Sequence, residues 1–361
     1  MIAILVVCTL VVAFANGAND VSKGIATLVG SGVSNYRAAL LWGTLWTVLG
    51  ALTAAVMTQA LVATFSGKGL LVTPSTSEAF LLAVSIGAIG WLIIATRTGL
   101  PVSTTHSLTG ALIGTGIVQL GSHGIVWKTV FAKVAYPLLF SPFISLILVM
   151  LLLPLLRPIA RRVERLCVCL EQMTMTRVTA EGAMLRDSVP LPSVEVAPQS
   201  HCGESVARMS ALDVLHWLSA GATSFFRGLN DTPKIIALGI AAAAAFGISQ
   251  GFFYVMLAVA MGLGSFIAGR RVTETLAKKV VRLSPSNGFA ANLVTSVLVG
   301  LASRFALPVS TTHVSSGAII GIGVSEGGGV RWRMVTEMVL AWIVTLPASA
   351  IIAGIVYKLI A

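Results

Sequence analysis

A chain of 361 residues that is 56% hydrophobic and only 10% charged, with a mean hydropathy of +0.92, lies far outside the range of soluble domains, in which about a quarter of residues are charged. The composition defines an integral membrane protein in contact with the lipid bilayer. A net charge of +11 would suit a nucleic-acid binder, but the basic residues sit at the ends of apolar segments, where they orient a membrane protein, so no nucleic-acid partner is expected.

The first apolar segment, Ile2 through Leu28, lacks the basic start and the small-residue cleavage site of a removable signal. It reads as a spanning helix over about 2 to 30, interrupted near Gly17 to Asp20. A second helix is expected over about 38 to 65, then two short segments over about 79 to 118 that meet at Pro101, then a helix over about 128 to 156. Pro101 removes a helical donor and biases Leu100 away from helical geometry, so the chain turns there. Ser103 or Thr104 then serves as the N-cap of a restarted helix, in which Gly110 permits close packing.

From Arg157 to Ala211 the sequence turns polar and charged, with Pro190, Pro192 and Pro198, which predicts a soluble, partly flexible connector. Of the four cysteines, Cys8 lies in the first apolar segment and Cys167, Cys169 and Cys202 lie in the connector. Their spacing, even with His201, is not that of a zinc site, and reduced, unpaired thiols are expected.

Beyond the connector the apolar sequence repeats itself. The hexapeptide PVSTTH occurs at Pro101 to His106 and again at Pro308 to His313, and NGANDVSK around Asp20 answers to RGLNDTPK around Asp231. The expected organisation is therefore a first membrane repeat over residues 1–156, a connector over 157–211 and a second repeat over 212–361. If the paired short segments form re-entrant hairpins, each half crosses the bilayer an odd number of times and the halves are inverted. Placing the amino terminus outside puts Arg37, the Arg157 to Arg165 cluster, Arg270, Arg271, Lys278, Lys279, Arg282, Arg331 and Arg333 on the cytoplasmic side, with the connector. Lys68, Lys128, Lys133 and Lys358 are left outside, the asymmetry that the positive-inside rule requires. The expected fold is an all-α integral membrane protein of two inverted-topology repeats with broken helices and re-entrant hairpins.

A helix that begins inside the bilayer presents unpaired N–H groups and the positive end of its dipole, where an anion binds. The hydroxyls of Ser103, Thr104, Thr105, Ser310, Thr311 and Thr312 add donors without fixed charge, and two such tips from inverted halves could enclose one tetrahedral oxyanion. Asp20 and Asp231 lie in long apolar segments, where a carboxylate costs about 2.5 kcal/mol or more, so a function or a partner is expected for each. With Asn19 and Asn230 they suit a hard cation such as Na⁺, or a proton; the other reading is an ion pair with Lys23 or Lys234, three residues on. The two are not exclusive, and a lysine at each aspartate would tilt coupling toward protons. Arg97 and Arg304, at the end of the first hairpin arm, either cap its carbonyls or reach the anion. His106 and His313, in the first turn of the restarted helix, are expected to be neutral hydrogen-bonding groups. Glu78 and Glu274 receive no role.

These residues resemble the inorganic phosphate transporter (PiT) family. The similarity covers both apolar halves and rests on GAND followed by GIATLVGSG, on GLND and on both copies of PVSTTH. It implies an inverted-repeat fold, inorganic phosphate as substrate and coupling to Na⁺ or H⁺, with no other cofactor. It also implies that Asn19, Asp20, Asn230 and Asp231 belong to the cation site and the six hydroxyl residues to the phosphate site. The VSK after the first aspartate departs from the common GANDVANA form, which bears on sodium coupling rather than on phosphate. The expectation is import of phosphate across the cytoplasmic membrane by alternating access; the alternative is a sulfate or other oxyanion transporter or channel of the same fold. An enzyme built on the Ser/Thr/His run is disfavoured because no acid is placed to orient the histidine and the run would not need duplication. A homo-oligomer is compatible with this reading, and no residue specifies it.

Overall fold

The computed structural model describes all residues except 58, 68, 74–76, 179–183, 199–206 and 328, so Lys68, His201 and Cys202 lie outside the described residues. The first apolar segment forms α1 (Ile2–Asp20) and α2 (Ser22–Gly30). There follow α3 (Tyr36–Met57), α4 (Gln59–Phe65), α5 (Glu78–Thr98), α6 (Thr104–Leu120), the single turn α7 (Trp127–Thr129), a wide π-type turn over Val130–Ala135, and α8 (Tyr136–Glu164). After the connector come α9 (Ala211–Ala245), α10 (Gln250–Ala268), α11 (Arg270–Lys278), α12 (Pro285–Arg304), α13 (Thr311–Ser325) and α14 (Trp332–Ile360).

Among the described residues six helical stretches are long and apolar enough to cross a membrane: Ile2–Gly30, Tyr36–Met57, Glu78–Thr98, Trp127–Glu164, Gln250–Ala268 and Trp332–Ile360. Their outward residues, such as Leu45, Phe140, Ile147, Leu151, Phe266 and Ile351, are large, apolar and exposed, as a surface in contact with lipid requires. The 35-residue α9 carries Arg227, Asp231 and Lys234 and buries all three. A helix that is polar at its centre has to be surrounded by protein rather than by hydrocarbon.

The chain breaks sharply between α5 and α6, and again between α12 and α13. Gly99 ends the first arm with φ +75°, and Ser103 caps the next helix by accepting from His106 N at 3.2 Å. In the second copy Ala306 takes the place of Gly99 with φ +53°, and Ser310 accepts from His313 N at 3.2 Å. Both prolines thus produce the expected turn and restart.

Packing follows the same duplication. Helix α3 lies against α9 and α10 against α1; α6 lies against α14 and α13 against α8. Glycines make these crossings close: a Cβ on Gly110 or Gly114 would fall 2.2 or 2.1 Å from a backbone oxygen of α14, and one on Gly317 would fall 2.2 Å from Pro142 O of α8. Each of these two inter-half contacts thus has its mate under the duplication.

Three expectations need correction. The interruption near Gly17 to Asp20 shrinks to Val21, itself helical, and α9 runs unbroken past Asp231 and Pro233. Side chains take up the local carbonyls instead, Ser22 Oγ donating to Asn19 O at 2.9 Å and Thr232 Oγ1 to Gly228 O at 2.7 Å. Helix α8 continues beyond 156 to Glu164, and the connector then forms an antiparallel sheet of β1 (Leu166–Val178), β2 (Met184–Pro198) and β3 (Ala207–Ser210), ordered β2-β1-β3. Leu166 pairs with Pro198 and Val178 with Met184, with a register shift between Gln172 and Thr174. Finally, Cys169 is disulfide-bonded rather than reduced, while Cys8 and Cys167 are free thiols.

Candidate functional site

The two PVSTTH turns meet. Thr105 Oγ1 donates to Val309 O at 3.2 Å, and Thr312 Oγ1 donates to Val102 O at 2.7 Å. Thr312 is the repeat mate of Thr105, and Val309 that of Val102, so the same bond is made in both directions. All six hydroxyl residues, Ser103, Thr104, Thr105, Ser310, Thr311 and Thr312, are buried, which brings the N-terminal turns of α6 and α13 together inside the protein. Each serine cap satisfies one N–H of its helix start, and first-turn geometry leaves others without an intrahelical acceptor.

The two aspartates lie beside this junction. Asn16 Nδ2 is 2.9 Å from Asp20 Oδ2, 2.9 Å from Thr104 Oγ1 and 3.2 Å from Asp231 Oδ2, so one amide spans both acidic groups and the first hydroxyl turn. Thr104 Oγ1 also donates to Asp20 Oδ2 at 3.2 Å. Asn19 anchors the α5–α6 break: its Nδ2 donates to Leu100 O at 3.1 Å, and its Oδ1 accepts from Val102 N at 3.2 Å. Asn230 Nδ2 donates to Ser303 Oγ at 3.0 Å, near the matching break.

Both lysines form the ion pairs that were the alternative reading for the aspartates. Lys23 Nζ donates to Asp20 Oδ1 and, at 2.8 Å each, to Asn19 O and Oδ1. Lys234 Nζ donates to Asp231 Oδ1 at 3.0 Å, to Asn230 Oδ1, to Thr105 Oγ1 at 2.7 Å and to Val309 O at 3.1 Å. Thus each ammonium sits among the carboxylate, amide and carbonyl oxygens that a hard cation would use, and Lys234 joins the acidic pair to both hydroxyl turns.

Arg97 and Arg304 are not brought to this centre. Both are exposed at the last turns of α5 and α12, and Arg97 O accepts from Arg271 Nη1 at 2.7 Å. His106 and His313 are brought together, with ring centroids 4.5 Å apart, and His313 Nδ1 lies 3.1 Å from Leu138 O. Glu274 pairs with Arg270 at 2.8 Å on the surface.

Sequence reasoning missed two members of the site. Arg227 is fully buried; its Nη1 donates to Asn16 Oδ1 at 3.2 Å and its Nη2 to Thr47 Oγ1 at 2.6 Å, while its Nε and the Thr311 hydroxyl have no partner among the described residues. Asn16 is its repeat mate. The signal was present, because an arginine in the apolar run of α9 is as costly as the aspartates that were singled out. With all groups ionised the cluster holds three cations, Lys23, Arg227 and Lys234, against two carboxylates. In that state one surplus positive charge would lie beside two helix N-termini, whose dipoles are also positive at that end.

Duplicated helices closing on a buried, charge-bearing centre between two helix starts define a membrane transporter rather than an enzyme. A sequence model of the phosphate transporter family matches residues 16–353, and the chain belongs to that family. It is 30% identical over 355 residues to the "Probable low-affinity inorganic phosphate transporter" of Rhizobium meliloti (strain 1021), covering 95% of this chain and 92% of that one. A protein of the same description from Bacillus subtilis (strain 168) is 27% identical, with 98% and 95% covered. Among solved structures, "The sodium-dependent phosphate transporter" shares the fold with a TM-score of 0.73 at 24% identity, covering 100% of this chain and 99% of that one.

Proposed function

We propose that this chain is a secondary transporter that carries inorganic phosphate into the cell by alternating access, coupled to a cation. The observation that carries the reading is the reciprocal pair of bonds between the two hydroxyl turns, beside a buried cluster of three basic and two acidic side chains, a surplus of one positive charge when all are ionised. A phosphate monoanion entering between the turns would neutralise that surplus and accept from the helix N-termini, from hydroxyls among Ser103, Thr104, Thr105, Ser310, Thr311 and Thr312, and from Arg227. Asn19, Asp20, Asn230 and Asp231 form the cation-coupling centre. Because Lys23 and Lys234 already fill the cationic position at each aspartate, we assign coupling to H⁺ rather than Na⁺, and a proton delivered to the cluster strengthens phosphate binding and is strengthened by it.

The mated helix contacts support two inverted repeats over 1–156 and 212–361, with α5–α6 and α12–α13 as re-entrant hairpins and the 157–211 connector on the cytoplasmic side. Protease access to the connector in right-side-out and inverted vesicles tests this placement. Uptake of labelled phosphate into liposomes, with pH and Na⁺ gradients imposed separately and sulfate as competitor, tests the function. Accumulation driven by an inward proton gradient and resistant to excess sulfate is expected; equilibration without accumulation would mark a channel, and displacement by sulfate a different cargo.

A further inference from the structure

On the side of the connector the charged cluster continues into a second group of buried polar side chains. Thr27 stands one turn beyond Lys23 in α2, and Thr223 one turn before Arg227 in α9. Asn292 of α12 joins them, its Nδ2 donating to Thr27 Oγ1 at 2.7 Å and its carbonyl accepting from Thr223 Oγ1 at 3.0 Å; His216 Nε2 lies 3.0 Å from Thr27 Oγ1. None of the four is more than 1% exposed.

The repeat does not copy this group. With the offsets that pair Asp20 with Asp231 and Pro101 with Pro308, the mates of His216, Thr223 and Thr27 are Leu5, Val12 and Leu238, and the mate of Asn287 is Phe80. These four mates are buried in one apolar core cluster. Gly24 lies against Ser224 and Gly239 against Thr9, so α1 and α2 run antiparallel to α9, and Leu5 and His216 fall at opposite ends of it. Ser85, the mate of Asn292, is polar, but its hydroxyl donates to Leu81 O of its own helix at 2.8 Å. An oxyanion leaving the centre would therefore meet hydrogen-bonding groups at the connector end and hydrocarbon at the other, and burying a charge without partners is costly.

The ring of His216 fills the seam between α2 and α12, where a Cβ on Gly288 would overlap its Cε1 and approach Thr27 Cβ to 3.2 Å. Thr27 alone holds the ring by a hydrogen bond, because Nδ1 has no partner among the described residues. Next to Gly288, Asn287 lines a polar cavity of about 250 Å³ together with Ser284 and Ser286, and Arg157 and Arg161 of α8 face them. Glu164 and Glu326 complete the lining, Glu326 Oε1 accepting from Asn287 Nδ2 at 2.7 Å and from Arg157 Nη2 at 3.3 Å.

We propose that the seam between α2, α9 and α12 is the route by which the transported oxyanion leaves the centre toward the connector, with His216 as the positioning residue that closes it and the arginine-bearing cavity as its mouth. The inference rests on the phosphate-carrier reading above. The hydroxyls of Thr27 and Thr223 and the amide of Asn292 supply donors along the way. Breaking one hydrogen bond frees the imidazole, whereas the apolar end can open only by parting helices, so the two gates differ in kind.

The repeat itself supplies the test, because His216→Leu installs the residue of the mated position. The maximal rate of labelled phosphate uptake into liposomes should fall about tenfold, the cost of one hydrogen bond lost in transit, while the dissociation constant for phosphate, read by isothermal titration of the purified protein, stays as in the wild type. His216→Asn, which keeps a polar group opposite Thr27, should retain most of the wild-type rate. The double variant Thr27→Val with Thr223→Val is isosteric and folds whatever the fate of His216→Leu; it should likewise lose rate and keep affinity. Wild-type rates in both the leucine and the double variant, or losses of affinity that match the losses of rate, would overturn the route. Absence of phosphate binding by the wild type would strike the carrier reading itself, and the route with it.

Discussion

Asn16 and Arg227 hold the same position in the two copies of the duplicated motif and are hydrogen-bonded to each other, Nη1 donating to Oδ1 at 3.2 Å. The duplication is thus broken by one basic residue at the centre of the protein, which leaves three basic side chains against two acidic ones in the buried cluster. Replacing Arg227 with Gln balances the cluster at two cations and two carboxylates. Phosphate affinity should fall about 10- to 100-fold, the worth of charged hydrogen bonds at about 1.5–3 kcal/mol. Isothermal titration with phosphate reads this directly, and unchanged affinity would remove Arg227 from the anion site.

Removing one lysine tests the assignment of the coupling ion. Lys23→Asn leaves Asp20 buried without its partner, a loss of about 3–5 kcal/mol unless another cation replaces the ammonium. The variant should melt at a lower temperature in sodium-free buffer and recover with added Na⁺, and its uptake should become sodium-dependent. Uptake and melting that ignore Na⁺ in both Lys23→Asn and Lys234→Asn would sink the idea that the lysines set proton coupling.

The two threonines that join the turns are repeat mates but do not carry equal loads. Thr312 Oγ1 makes the bond to Val102 O, whereas Thr105 Oγ1 donates to Val309 O and also accepts from Lys234 Nζ at 2.7 Å. Thr105→Val should therefore cost more than Thr312→Val, by about 1–2 kcal/mol, in denaturant unfolding of the purified protein. Equal losses would mean that Lys234 does not depend on Thr105.

At the hairpin breaks the first copy has glycine and the second alanine in the left-handed region. Ala306→Gly should stabilise by roughly 1 kcal/mol and Gly99→Ala should destabilise by a similar amount, because the left-handed conformation costs an L-residue about 1–2 kcal/mol. Opposite shifts in thermal unfolding are the expected result.

Close helix packing gives a sharper contrast. A side chain at Gly114 would overlap Ala350 O, whereas at Gly90 the nearest atoms are flexible side-chain carbons of Ile352 at 3.5 and 3.6 Å. Gly114→Val should prevent recovery of folded protein and Gly90→Ala should not, as judged by monodispersity after detergent extraction.

Much of this was legible in the sequence because it rests on local rules. Proline at 101 and 308 dictated the breaks, serine at 103 and 310 the caps, and the i, i+3 spacing the two ion pairs. The meeting of the two hydroxyl turns could be inferred only because the motif occurs twice. What escaped depends on long-range pairing. The connector sheet pairs Leu166 with Pro198, far apart in the sequence, and no local pattern announces that pairing. Asn16 drew no notice because an amide is ordinary in a helix, and its three acidic and hydroxyl neighbours come from α1, α6 and α9. The continuity of α9 also ran against the local signal, since Pro233 after an Asn-Asp pair reads as a stop. Tertiary burial on every side of α9 overrides that stop.

The crossed threonine bonds carry a mechanical consequence. Because each turn grips the other through its own threonine, any movement that draws the two turns apart strains both bonds together. Separation of the two turns should therefore be concerted, a toggle of two coupled bonds rather than a hinge that opens one side first.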